Sequence, residues 1–224
     1  MADDLPSQWT HEPDKVLKFE PGSKVSDIDT DSSPGFKGDK ADAPRIQAER
    51  NAVFADLQEK LYANGRADDK RSILLVLQGM DTAGKGGIVN HVVAAGSPMG
   101  IDYHGFGVPT AEELEHHYLW RIRKALPAAV HIGVFDRSHY EDVLVVRVHN
   151  LVPPEVWGAR YDEINAFEKE LVDSGTTLVK CALFVSLDEQ KRRLAERLWE
   201  RPQPRSIVGG RGKDRGRVTE HTSS

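Results

Sequence analysis

The chain has 224 residues, enough for one sizeable α/β domain with a real core or for two small ones. Its 39% hydrophobic and 29% charged residues are an ordinary globular composition, and a net charge of −5 argues against general nucleic-acid binding. A single cysteine, Cys181, excludes a disulfide framework or zinc cluster and predicts a reducing cytoplasm. No apolar run approaches membrane-spanning length, and no basic-then-apolar signal opens the chain.

Residues 1–44 are polar, with Pro, Gly, Asp and Ser scattered through them. They read as an extended arm that lies on the domain or is partly disordered. From Ala43 to Asn64 apolar residues recur at helical spacing (Ile46, Val53, Phe54, Leu57, Leu61), and Gly65 is expected to end the helix. Ile73–Gln78 reads as a strand, Lys85–Ala95 as a helix and Ile101–Phe106 as a short strand. Thr110 with Glu113 forms a capping box that opens a helix expected to run to Leu126, before Pro127. Val130–Phe135 is a predicted strand ending at Asp136. Tyr140–His149 is helical until Pro153-Pro154, and a second helix runs Glu155–Ser174 up to Gly175. Thr177–Val185 reads as a buried strand. Ser186 with Glu189 is a second capping box, opening a helix from Leu187 to Trp199. After Arg201 the pattern ends, and residues 202–224 read as a disordered tail with five basic residues, two acidic ones and four glycines. Residues 45–201 are thus the expected folded domain. Strand–helix alternation predicts a parallel sheet with helices on both faces, an α/β/α sandwich whose ligand sits at the carboxyl ends of the strands. The nine histidines show no H-x-x-x-H spacing and read as surface residues.

The most informative stretch joins the first strand to its helix: Gly-Met-Asp-Thr-Ala-Gly-Lys-Gly-Gly (79–87). Its G-x-x-x-x-G-K spacing is that of a phosphate-binding loop. Gly79, Gly84, Gly86 and Gly87 let the backbone curl so that N–H groups face phosphate oxygens. Lys85 adds a mobile cation, and the helix behind adds a favourable dipole. The residue after the lysine is Gly86, where a Ser or Thr hydroxyl normally reaches Mg²⁺. Asp81, inside the loop, is the candidate to take that metal role. Asp136, at a strand end beside the loop, is a second candidate for Mg²⁺ or its waters, and Arg137 could clamp a phosphoryl group.

The motifs at 79–87, Val-Pro-Thr-Ala-Glu-Glu-Leu (108–114), Tyr-Leu-Trp-Arg-Ile-Arg-Lys-Ala-Leu-Pro (118–127) and Phe-Asp-Arg-Ser-His-Tyr-Glu-Asp-Val-Leu-Val-Val-Arg-Val (135–148) together resemble the polyphosphate kinase 2 family. The resemblance spans roughly Lys15 to Arg201. It implies a P-loop kinase-like fold and an enzyme that moves a phosphoryl group between inorganic polyphosphate and adenine or guanine nucleotides with Mg²⁺. It assigns Asp81 and Asp136 to the metal, Lys85 and the loop glycines to phosphates, and Arg137 to the charge in flight. Arg121, Arg193 and Arg197 become candidates for holding phosphates along a basic track. Glu141 resembles the subgroup that accepts nucleoside monophosphates as well as diphosphates, where the diphosphate-only subgroup tends to carry Asn.

The helix near Gln190–Leu198 resembles the start of the family's lid, but the expected Pro-x-Lys-x-Trp-Lys continuation and the last core strand are not recognisable. A truncated or altered chain, with an incomplete lid and an exposed sheet edge, is therefore expected, as is a homo-oligomer. Two other readings share the loop: an ATP-dependent kinase of a small metabolite, and a lid-less remnant that binds phosphate chains or nucleotides without turnover.

Overall fold

The computed structural model describes residues 9–20 and 22–199; the predicted tail lies outside the described residues. The amino-terminal stretch carries a one-turn helix α1 (Pro13–Val16), a 3-10 turn at Val25–Asp27 and an isolated antiparallel bridge between Trp9 and Phe36. None of its described side chains up to residue 44 is buried.

The rest alternates: α2 (Ala43–Ala63), β1 (Ser72–Gly79), α3 (Lys85–His91), β2 (Ile101–Gly105), α4 (Ala111–Leu114), α5 (Leu119–Lys124), β3 (Ile132–Asp136), α6 (Glu141–Val148), α7 (Pro154–Asp173), β4 (Thr176–Leu183) and α8 (Leu187–Trp199). The strands form one sheet in the order β2-β3-β1-β4, with every pairing parallel. β1 is central, and its residues alternate between two cores. Leu74 and Val76 pack with Phe135, Phe106, Leu119, Ile122, Phe167 and Leu171 on the α5/α7 side. Leu77 joins Ile132, Val134 and Val93 on the other side, backed by Phe54 and Leu61 of α2 and Ile88 and Val89 of α3. A strand covered on both faces must be apolar at every position, which is why Ile73–Leu77 is an unbroken apolar run. Phe135 and Phe167 are fully buried, and truncating either to Ala costs about 3–5 kcal/mol.

Several predicted bounds shift for local reasons. The helix expected from Thr110 to Leu126 is two helices. Its capping box forms, but α4 ends at Leu114 and α5 starts afresh at Leu119. His117 restarts it, its carbonyl accepting from the Trp120 N–H at 2.8 Å and its imidazole Nδ1 from the Leu119 N–H at 3.4 Å. The helix expected to reach Ala95 ends as α-helix at His91, whose carbonyl is taken by the Gln47 and Asn51 side chains of α2 at 2.8 and 2.7 Å. The third strand starts at Ile132 because Val130 takes a left-handed φ of 61° while its N–H binds the Arg71 carbonyl. Gly65 does not adopt the left-handed cap; the chain runs on into a 3-10 turn, and Asp68 takes φ 58° instead. In α2, Val53 and Leu57 are exposed, and Gln58 is the buried neighbour, its amide oxygen holding the Ser97 N–H.

β4 is not a buried strand. It pairs with β1 along its whole length, but Val179, and Phe184 just past its end, remain well exposed. The second capping box keeps the Ser186 hydroxyl on the Glu189 N–H, while the Glu189 carboxylate turns to Arg192 and Arg193.

Candidate active site

β1 and β3 are neighbours, and their register sets Leu77 beside Asp136. The loop leaving β1 and the turn leaving β3 therefore open onto the same carboxyl edge of the sheet. Between them lies a cleft of about 350 Å³ lined by the loop residues Asp81–Gly87, Asn90, Gly105, Phe106, Asp136, Arg137 and Arg197.

Two glycines have steric reasons. A Cβ on Gly79 would stand 2.7 Å from the Leu183 carbonyl oxygen, so the strand can pass β4 only as glycine. Gly84 has φ +108° and turns the loop into α3. At Gly84, Gly86 and Gly87 a Cβ would meet nothing within 4 Å, so each leaves space open where the loop lines the cleft. Lys85 is 9% exposed and folds back, its Nζ donating to the Gly79 and Met80 carbonyls at 2.7 and 3.3 Å. Arg137 sits on the opposite wall at a left-handed φ of 68°, its N–H held by the Leu77 carbonyl at 2.9 Å. Its guanidinium is 3.8 Å from the exposed Asp81 carboxylate.

Asp136 has one carboxylate oxygen, Oδ1, buried without a hydrogen-bond partner; Oδ2 accepts from the Tyr103 hydroxyl at 3.5 Å. Burial, reinforced by the Asp136 charge, raises the Tyr103 phenol, so it keeps the proton it donates. This donor set fits a divalent cation of the Mg²⁺ kind. Among the described residues no three His, Cys, Asp or Glu gather, so Asp81 and Asp136 are what the protein offers. Mg²⁺ is typically held by one or two carboxylates, its remaining positions filled by water and substrate phosphates.

The other predicted residues are placed differently. Arg197 lines the cleft. Arg193 donates to the Thr82 carbonyl at 2.8 Å and to Glu189 at 2.7 Å. Arg121 is 7% exposed and sits behind the wall, on the Gly107 carbonyl at 3.0 Å and near Glu113 and Asp142. Glu141, in the first turn of α6, accepts from the Gln78 side chain near the end of β1. Sequence reasoning missed Asn90, Tyr103, Phe106 and Gln190. Asn90 stood one helical turn past Gly86, and Phe106 just past a strand end, so both were findable. Tyr103 and Gln190 meet the site only through tertiary contact.

Next to the Asp136–Arg137 turn lies a buried polar cluster. Fully buried His139 reaches Glu168 at 3.3 Å, Tyr140 donates to the same carboxylate, and Lys180 joins it at 2.6 Å. Burial alone would raise Glu168, but hydrogen bonds from His139, Lys180 and Tyr140 outweigh it and hold the carboxyl at about 2.

The polyphosphate kinase 2 family matches residues 37–205. The chain belongs to that family. It is 46% identical over 178 residues to the AMP/ADP-polyphosphate phosphotransferase of Meiothermus ruber, covering 80% of this chain and 65% of that protein. It is 41% identical over 168 residues to the ADP-polyphosphate phosphotransferase of Rhodopseudomonas palustris, covering 70% and 56%. The chain thus spans somewhat over half the length of these curated relatives. The crystal structure of polyphosphate kinase 2 from Arthrobacter aurescens superposes with a TM-score of 0.84 at 48% identity, covering 87% of this chain and 68% of that one. The α/β sandwich is therefore the fold of this kinase family. No helix among the described residues is long and apolar enough to cross a membrane.

Proposed function

We propose that this polyphosphate kinase 2 family member transfers a phosphoryl group between inorganic polyphosphate and nucleoside mono- and diphosphates, converting AMP or ADP to ADP or ATP. The observation that carries this is one small cleft presenting the phosphate loop on one wall and Asp136-Arg137 on the other. Phosphoryl transfer asks little covalent chemistry of a protein; it asks for alignment of two polyanions and cover for their charge.

Each side chain has a part in this. Lys85 can exchange a carbonyl for a phosphate oxygen, and the open space at Gly86 and Gly87 lets a phosphate approach the backbone. Arg137 and Arg197 bring guanidinium groups to the same cleft, where they neutralise the group in transit. Asp81 and Asp136 would hold Mg²⁺, which supplies charge neutralisation between phosphates. Tyr103 keeps one oxygen of Asp136 engaged and so orients the other. Glu141 favours acceptance of monophosphates, by its likeness to that subgroup. Arg121 and Arg193 serve the site through the backbone rather than by touching phosphate. The folded domain is read as residues 45–201, of which those up to 199 are described. The free, half-buried Cys181 suits a cytoplasmic setting, and exposed Val179 on β4 with Phe184 just past its end suit a homo-oligomer.

A luciferase assay for ATP made from ADP plus polyphosphate and Mg²⁺ tests the reading, with chromatography following AMP. Turnover with polyphosphate as sole donor is expected. Turnover only with ATP would reassign the chain to a metabolite kinase, and binding of polyphosphate without turnover would mark it as a binding protein.

A further inference from the structure

The carbonyl oxygens of residues 79 to 82 all have donors. Lys85 Nζ takes those of Gly79 and Met80, and the Ala83 N–H also reaches Met80 at 3.1 Å. The Asp81 carbonyl accepts from the Gln190 side-chain amide at 2.8 Å, and the Thr82 carbonyl from the Arg193 guanidinium at 2.8 Å. The first donors are local. The last two come from α8, 109 and 111 residues further along the chain.

A trans peptide points its C=O and N–H in opposite directions. Pinning a carbonyl therefore fixes where the following N–H points, and a loop binds anions only when its free N–H groups converge. Thr82 needs outside support, because its φ of +66° is sparsely populated for a residue with a side chain. Gln190, Arg193 and Arg197 follow the i, i+3, i+7 spacing of one helical face. That face meets the loop: its first two members bind loop carbonyls and its third lines the cleft. Arg193 is itself braced by Glu189 at 2.7 Å.

We infer that Gln190 and Arg193 are positioning residues of the phosphate loop. Gln190 fixes the peptide that carries the Thr82 N–H, and Arg193 fixes the next one, whose Ala83 N–H closes the turn onto the Met80 carbonyl; together they set the loop's anion-binding shape and thereby aim the Asp81 carboxylate. Docking of α8 and shaping of the loop are one event. The inference deepens the proposed function and rests on its reading of the cleft as the phosphate site.

The test uses the full chain with Gln190→Ala, Arg193→Met, the double variant, and Lys191→Ala as a control on an exposed position of the same helix. Amide hydrogen exchange of residues 80–84 is measured first, without ligand, so the result does not depend on function. Roughly tenfold faster exchange is expected in the double variant, with β3 and the Lys191→Ala protein unchanged. Calorimetry with tripolyphosphate and Mg²⁺ follows. Affinity is expected to fall about tenfold in the double variant, and Arg193→Lys, which keeps a cationic donor, to recover part of it. Unchanged exchange at 80–84 overturns the inference whatever the ligand does. Faster exchange with unchanged tripolyphosphate affinity overturns the positioning role. If exchange responds but the wild-type chain binds no tripolyphosphate, the coupling of α8 to the loop stands and the phosphate reading falls.

Discussion

Arg137 places its guanidinium 3.8 Å from the Asp81 carboxylate, across the mouth of the cleft. A cation and an anion from opposite walls thus face each other where two phosphate chains would meet. Both are well exposed, so the pair itself adds little stability. In the proposed reaction, incoming phosphates and a metal ion would separate it at little cost.

Asp81→Asn and Asp136→Asn should each lower kcat/KM roughly 100-fold, the scale of losing one charge-stabilising contact at a reacting centre. Both changes are nearly isosteric, so melting temperatures should stay within a few degrees. Steady-state ATP formation from ADP and polyphosphate measures the first effect and a thermal melt the second. Near-normal turnover in either variant would contradict the assigned metal role.

Glu141→Asn should diminish phosphorylation of AMP more than that of ADP. Asn is shorter by one methylene and cannot keep the reach that brings Glu141 to Gln78. Chromatographic rates on the two acceptors, compared as a ratio, decide it. An equal loss on both would remove Glu141 from acceptor selection.

Glu168 makes the fold sensitive to acid. Its carboxyl is held at about 2 in the folded protein, below the usual carboxylate range. A depressed folded value means the stabilisation is complete above the unfolded value of about 4.3 and drains away as pH falls towards about 2. Glu168→Gln should be less stable at neutral pH by about 1–3 kcal/mol, the cost of weakening a buried hydrogen-bond cluster. Its stability should also change less between pH 4.5 and 2. Denaturant midpoints measured across that range would show the wild-type and variant curves converging in acid; parallel curves would dismiss the link.

Arg121→Met should cost about 3–5 kcal/mol, because it removes a buried cation that faces Glu113 and Asp142. Burial already pushes the Asp142 carboxyl up, against the pull of Arg121 and Arg160, so losing Arg121 should raise it further. A protein of unchanged stability with a raised KM for polyphosphate would return Arg121 to direct phosphate contact.

Much of the site was legible because its parts are local. The phosphate loop is one continuous stretch between an apolar run and a helical pattern, and Asp136 ends another apolar run. Element bounds moved where a distant or side-chain partner took up a backbone group. The Gln47 and Asn51 amides at His91 and the His117 imidazole at Leu119 are such cases, and periodicity carries no trace of them.

The arginines divide along the same line. The resemblance and the positive charge marked Arg121, Arg193 and Arg197 alike as candidates for phosphate, since a sequence records a cation but not what surrounds it. Tertiary packing buried Arg121 among acids, spent Arg193 on a loop carbonyl and left Arg197 in the cleft. By itself the sequence determined the parallel α/β fold and the glycine-rich loop with its Asp81, and marked Asp136 at a strand end, because hydrophobic periodicity and backbone chemistry act over a few residues. Which side chains of α8 bind the loop's carbonyls and which reaches the cleft only the tertiary structure decided, because α8 and the loop lie more than 100 positions apart.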